Sequence, residues 1–165
     1  MMLTGRIENM RPVFFSGVPM QTITPFLWFN NNAEDAMNFY VSIFKDAQVL
    51  NVSPMMVSFR LNGQEFIGLN GGPEFKFTEA ISLFVNCETQ AEVDELWSKL
   101  TADGGEESQC GWLKDKFGLS WQIVPNILGE LLGDSNREKA DRVMQAMLQM
   151  KKLDIAALKR AHEDS

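Results

Sequence analysis

A repeat constrains this chain more than any other feature. Ile23 to Phe29 is an apolar, aromatic run that reads as a strand ending in the Asn30-Asn31-Asn32 turn cluster. Behind it, Ala36, Phe39, Tyr40, Ile43 and Phe44 fall at the i, i+3, i+4, i+7, i+8 spacing of a helix with one buried stripe. Asn32 stands where a cap is needed, and Glu34 and Asp35 sit at the end the helix dipole favours. Val49–Val52 and Met56–Leu61 read as strands, the second joined through Asn62-Gly63 to Gln64–Leu69. Asn-Gly between two strand-like runs predicts a type I′ hairpin, whose two central residues need positive φ.

The same order then returns. Ala80–Val85 is strand-like, Thr89 is placed to cap a helix over Ala91–Leu100, and Val93, Leu96, Trp97 and Leu100 share its apolar face. These four follow Ala36, Phe39, Tyr40 and Ile43 by 57 positions each, and Gly118 follows Gly63 by 55. Trp112–Phe117 and Leu119–Val124 read as the strands flanking that second glycine. Offsets this constant mark two copies of one βαβββ unit. The division is then 1–19 as an extension, disordered or packed at an edge, 20–73 and 74–126 as the two units, and 127–165 as a helical tail. In the tail, Asp134 or Ser135 caps a stripe of Ala140, Val143, Met144, Met147 and Leu148, and Asp154 caps a shorter helix. Such a tail either packs on its own domain or clasps a second subunit in a homodimer.

Composition sets the outer bounds. At 165 residues and 45% apolar content the chain suits one core. Residues 1–20 interrupt their apolar stretch with Arg6, Glu8, Arg11 and Pro12, unlike a signal peptide, and no apolar run is long enough to span a bilayer, so a cytoplasmic protein without membrane contact is expected. The net charge of −7 argues against a nucleic-acid partner. Cys87 and Cys110 form no CxxC pair and read as reduced thiols.

Several motifs carry a resemblance: ITPFLWF (23–29), LNGQEF (61–66), LNGGPEFKF (69–77), CETQAEVDELW (87–97), CGWLKDKFGLSWQIVP (110–125) and VMQAMLQMKKLDIAALKR (143–160). With the tandem βαβββ order, they make the chain resemble the PhnB-like branch of the vicinal oxygen chelate superfamily of glyoxalases, dioxygenases and bleomycin-resistance proteins. That branch bears the domain name 3-demethylubiquinone-9 3-methyltransferase. Relatives have a longer Gly/Pro-rich excursion where this chain has only Val52-Ser53-Pro54-Met55. The resemblance implies an α+β fold in which each unit curls into half a cup, with helices outside and ligand inside.

It also implies where a metal would sit. Metal-dependent members place His, Glu or Gln on the first and last strands of each unit; alignment puts Thr24, Ala80 or Ile81, Ile67 or Gly68, and Gln122 at those positions, and Gln122 alone keeps a donor side chain of the expected kind. The single histidine, His162, lies at the end of the tail, so a frayed terminus would have to fold back to reach Cys110. No metal and no cofactor are expected. The Asn70-Gly71-Gly72-Pro73 glycines precede a strand, not a helix, and read as a linker, which leaves the methyltransferase label without support.

The cup lining remains. Alternation puts Thr24, Phe26 and Trp28 on one face of the first strand, with Ser82, Phe84, Ser120 and Gln122 joining from the second unit. Glu65 and Trp112 complete the candidate ligand contacts, although an aromatic wall is also what a filled core looks like. Trp121 reads as core beneath the helices, whereas Lys114 and Asp115 admit either reading. The function these residues favour is binding of a small organic molecule without glyoxalase-like metal chemistry. The alternatives are a lyase or isomerase using Glu65, Gln122 or Cys110, and an interaction module whose cups are filled.

Overall fold

The computed structural model describes residues 23–163, so the expected extension at 1–19 lies outside the described residues. The first unit comprises β1 (Phe26–Phe29), α1 (Ala33–Ile43), β2 (Ala47–Val52), β3 (Met56–Leu61) and β4 (Gln64–Asn70). The second comprises β5 (Ser82–Cys87), α2 (Gln90–Leu100), β6 (Glu106–Glu107), β7 (Trp112–Lys114) and β8 (Ser120–Pro125). Each builds its own four-stranded sheet, ordered β1-β4-β3-β2 and β5-β8-β7-β6. In both, the first strand runs parallel to the last and the remaining pairs are antiparallel. The doubled unit is therefore as the repeat predicts, and the α+β class as the resemblance implies.

Local chemistry explains where the elements begin and end. Asn62 and Gly63 take φ of 46° and 81°, so the two-residue turn closes with Leu61 opposite Gln64. β1 is shorter than its apolar run: Ile23 and Thr24 stay outside the ladder, and the N–H of Ile67 donates to the carbonyl of Pro25. Likewise β5 begins at Ser82, leaving Ile81 71% exposed in the preceding turn. β7 stops at Lys114 because Asp115 starts a turn, its carboxylate accepting from the N–H groups of Phe117 and Leu119. The short Ser53-Pro54-Met55 turn is closed by Ser53, whose N–H and hydroxyl both donate to the Met56 carbonyl.

Two expected caps are corrected. Asn32 is the N-cap residue of α1, yet its side chain caps nothing; Asn70 does so from the end of β4, its Oδ1 accepting from Ala33 N–H at 2.9 Å while its amide donates to Pro54. In the tail, Asn136 and not Asp134 or Ser135 caps the helix, accepting from Glu138 and Lys139. Thr89 and Asp154 cap as expected.

The helix-bearing faces of both sheets meet in one core. Leu27, Phe29, Val57, Phe59 and Phe66 from the first sheet join Leu113, Trp121 and Ile123 from the second, with α1 and α2 supplying Met37, Tyr40, Val93, Trp97 and Leu100. Trp121 stacks on Phe44 of the other unit with ring centroids 5.5 Å apart. Its indole N–H (2.9 Å) and the Tyr40 hydroxyl (2.7 Å) both donate to Asp115 Oδ2. Each large apolar side chain so buried contributes about 1.5–3 kcal/mol.

The tail forms α3 (Ile127–Leu132), α4 (Arg137–Leu148) and α5 (Ile155–Glu163) and lies on its own second unit. Val143, Leu153 and Leu158 close a small core against Val124, Leu128 and Leu131. Gln90 brackets the tail, donating to Leu153 O at 3.1 Å and accepting from Ile155 N–H at 2.8 Å, and the N–H groups of Cys110 and Gly111 donate to Met150 and Lys151. The end of α5 is not frayed, contrary to expectation. His162 Nε2 lies 2.7 Å from Asp134 Oδ2, and Arg142 donates to the carbonyls of Ala161 and His162.

Candidate functional site

The faces turned away from the shared core carry the candidate residues, and cross-strand register groups them into rows. In the first sheet Gln48, Arg60 and Glu65 form one row; Asn51, Ser58, Ile67 and Phe26 form the next; Met56, Leu69 and Trp28 form the third. The second sheet repeats the scheme with Glu106, Lys114, Ser120 and Ser82, then Trp112, Gln122 and Phe84. The register also corrects the alignment made from sequence. Phe26 pairs with Ile67 as Phe84 pairs with Gln122, so Ser82, not Ala80 or Ile81, is the counterpart of Thr24, and Ile67, not Gly68, that of Gln122.

The eight residues singled out from sequence do not converge on one site. Phe26, 54% exposed, and Glu65 line a cavity of about 240 Å³ in the first unit, together with Asn51, Met56, Ser58 and Ile67. Thr24 is half-buried ahead of β1. Trp28 is committed to packing: its indole covers Gly71, where a Cβ would collide with the ring, its N–H donates to Gly72 O at 2.9 Å, and Phe75 meets it edge-on at 4.9 Å. In the second unit Phe84, Trp112 and Gln122 line a more open cleft of about 330 Å³, whose far wall is Leu128, Leu132 and Met147 of the tail. Ser82 accepts from Gln122 Nε2 at 2.8 Å. Glu65 thus lies in a different unit from Gln122 and Cys110, its companions in the lyase or isomerase reading.

Electrostatics separate structural groups from available ones. Asp115 is 2% exposed and takes four donors, from Tyr40, Trp121, Phe117 and Leu119. Burial holds its carboxyl above the ordinary range against the pull of those donors, and burial together with Asp115 raises the Tyr40 phenol well above its usual value. This cluster joins the two units and lies within the core. Lys114 pairs with Glu79 at 2.5 Å, a hydrogen bond and charge that raise its pKa. Burial, then the charge of Glu92, pushes the Cys87 thiol up to about 11, which keeps it protonated and unreactive. Ser120 Oγ is buried without a partner among the described residues.

Glu65 is different. It is 8% exposed, and one carboxylate oxygen accepts from Arg60 at 2.5 Å, while Arg60 also reaches Gln48 at 3.4 Å. Arg60, Asn51, Ser58 and Met56 escaped the sequence reading. The signal was nonetheless present, because a two-residue turn at Asn62-Gly63 obliges Arg60 to face Glu65.

A divalent ion does not fit these residues. Among the described residues, no three His, Cys, Asp or Glu side chains gather as a metal site requires. The paired first and last strands present Phe26 beside Ile67 and Phe84 beside Gln122, whose amide is already engaged by Ser82.

Two βαβββ units, each with a sheet face turned away from the helices, define a protein of the vicinal oxygen chelate class. The profile of the 3-demethylubiquinone-9 3-methyltransferase family matches residues 21–124, and the chain belongs to this family, the PhnB-like branch of that superfamily. Among solved structures it is similar to a PhnB protein from Bacillus cereus, with 38% identity over 64% of this chain and 99% of that one, at a TM-score of 0.59. A protein from Pseudomonas aeruginosa shares the fold at 18% identity, over 64% of this chain and 98% of that one, with a TM-score of 0.53. A glyoxalase/bleomycin resistance protein from Albidiferax ferrireducens stands at 13% identity, 64% and 99% coverage and a TM-score of 0.49. No curated protein matches the chain. No helix among the described residues is long and apolar enough to cross a membrane.

Proposed function

We propose that this protein binds a small organic molecule in the concave face of its first unit, without metal-dependent chemistry. The observation that carries this reading is the cavity of about 240 Å³, walled by Phe26, Met56 and Ile67 and holding the single buried carboxylate of Glu65. Mostly apolar walls with a few placed polar groups are what small-molecule sites offer. Methyl transfer, which the family description names, is not proposed. The Gly71-Gly72 linker runs into Pro73 and an irregular stretch before β5, so it supplies no helix N-terminus to hold a cofactor.

The proposal includes a homodimer and a cytoplasmic setting. Phe84, 55% exposed on the outward face of the second unit, is apolar area that a second copy would cover. The test is a thermal-shift screen of neutral aromatic compounds on protein purified without a histidine tag, with parallel metal analysis and sedimentation. We expect a metal-free protein, a rise in melting temperature with at least one compound, loss of that rise in Phe26→Ala, and a dimer at micromolar concentration. Stoichiometric metal, or a shift unchanged by Phe26→Ala, would overturn the reading.

A further inference from the structure

The molecule contains its own standard for a buried carboxylate. Asp115, deep in the core, is satisfied by four donors. Glu65, 8% exposed, receives one, from Arg60 to Oε1, and no other among the described residues. A mostly buried carboxylate with a single protein donor keeps acceptor sites for a group that enters beside it. What faces Glu65 is the cavity, whose remaining walls are Phe26, Met56, Val57 and Ile67, with Asn51 and Ser58 at one side.

From this we infer that the first cavity selects flat apolar ligands bearing a neutral hydrogen-bond donor, a hydroxyl or N–H, which the free oxygen of Glu65 accepts. This rests on the reading of that cavity as a ligand site. Charge fixes the rest of the class. Arg60 already balances Glu65 and does not line the cavity, whose walls hold no Lys or Arg for an anionic ligand. A ligand carboxylate would meet Glu65 as a like charge in poor solvent. Phe26 and Ile67, paired across β1 and β4, give a flat body its surface. The second cleft does not share the preference: the counterpart of Glu65 there is Ser120, which is absent from that cleft's lining.

Calorimetric titration at pH 7 with 2-naphthol, 2-methoxynaphthalene and naphthalene-2-carboxylate separates the possibilities. The expected result is binding of 2-naphthol, at least about tenfold weaker binding of the methyl ether, which has the same rings but no donor, and no measurable binding of the carboxylate. In Glu65→Gln the ratio of naphthol to ether should fall below about threefold. Equal affinities for naphthol and ether in the unaltered protein overturn the inference while leaving the cavity a ligand site. Binding of none of the three overturns both readings. Should Glu65→Gln fail to fold by circular dichroism, the ether comparison in the unaltered protein decides alone.

Discussion

Asp115 and Glu65 are both withdrawn from water, yet only one is closed to it. The turn at Asp115 places two backbone N–H groups on one oxygen, and Tyr40 and Trp121 supply donors to the other. Asp115→Asn keeps the shape but turns an amide N–H₂ toward groups that are themselves donors. Hydrogen bonds to a charged acceptor are each worth about 1.5–3 kcal/mol, so this variant should lose about 3 kcal/mol in urea unfolding. A loss below about 1 kcal/mol would show that the carboxylate does not hold the units together. None of this was visible from the motif alone. Asp115 sits between Lys114 and Lys116, a setting that reads equally well as surface charge. Its role arises from Tyr40, 75 residues away, which only the assembled core brings near.

At the scale of single elements, helix entry shows how a correct pattern can carry a wrong mechanism. The Asn32 position, the acidic first turn and the apolar stripe all place α1 correctly, but the capping oxygen belongs to Asn70 at the end of a strand 37 residues further on. Asn70→Ala should therefore cost about 1–2 kcal/mol, since it removes a cap and the bond to Pro54, whereas Asn32→Ala should cost only a few tenths. Thermal melts of the two variants check this, and equal losses would contradict the assignment. The remaining elements follow the same division. Periodicity and Asn-Gly chemistry are local, and they fixed both helices and the first hairpin to within a residue or two. The starts of β1 and β5 depend on which backbone groups find a partner strand, and apolar runs at Ile23 and Ala80 overstate them. For the candidate site, alternation found the right faces. It could not show that the two faces open separately, nor that Trp28 is held by Gly71 and Gly72.

At the scale of the whole molecule, the two units stand against each other on their helical sides. They are joined by the irregular stretch between β4 and β5, in which Glu74, Phe75 and Lys76 are exposed while Phe77 packs on Phe29 with ring centroids 5.2 Å apart. Brief trypsin treatment should cut after Lys76 and leave the halves associated, unchanged in circular dichroism and co-eluting, although a denaturing gel shows two fragments. Separation of the halves would mean that each covers its own core. Because the core is common property, the two copies of the repeat have lost the freedom that duplication usually grants, in which one copy drifts while the other keeps the fold. Tyr40 of one copy faces Trp121 and Asp115 of the other. Substitutions at these positions should be strongly epistatic, tolerated in matched sets and harmful singly, so that descendants of this sequence change the two halves in step.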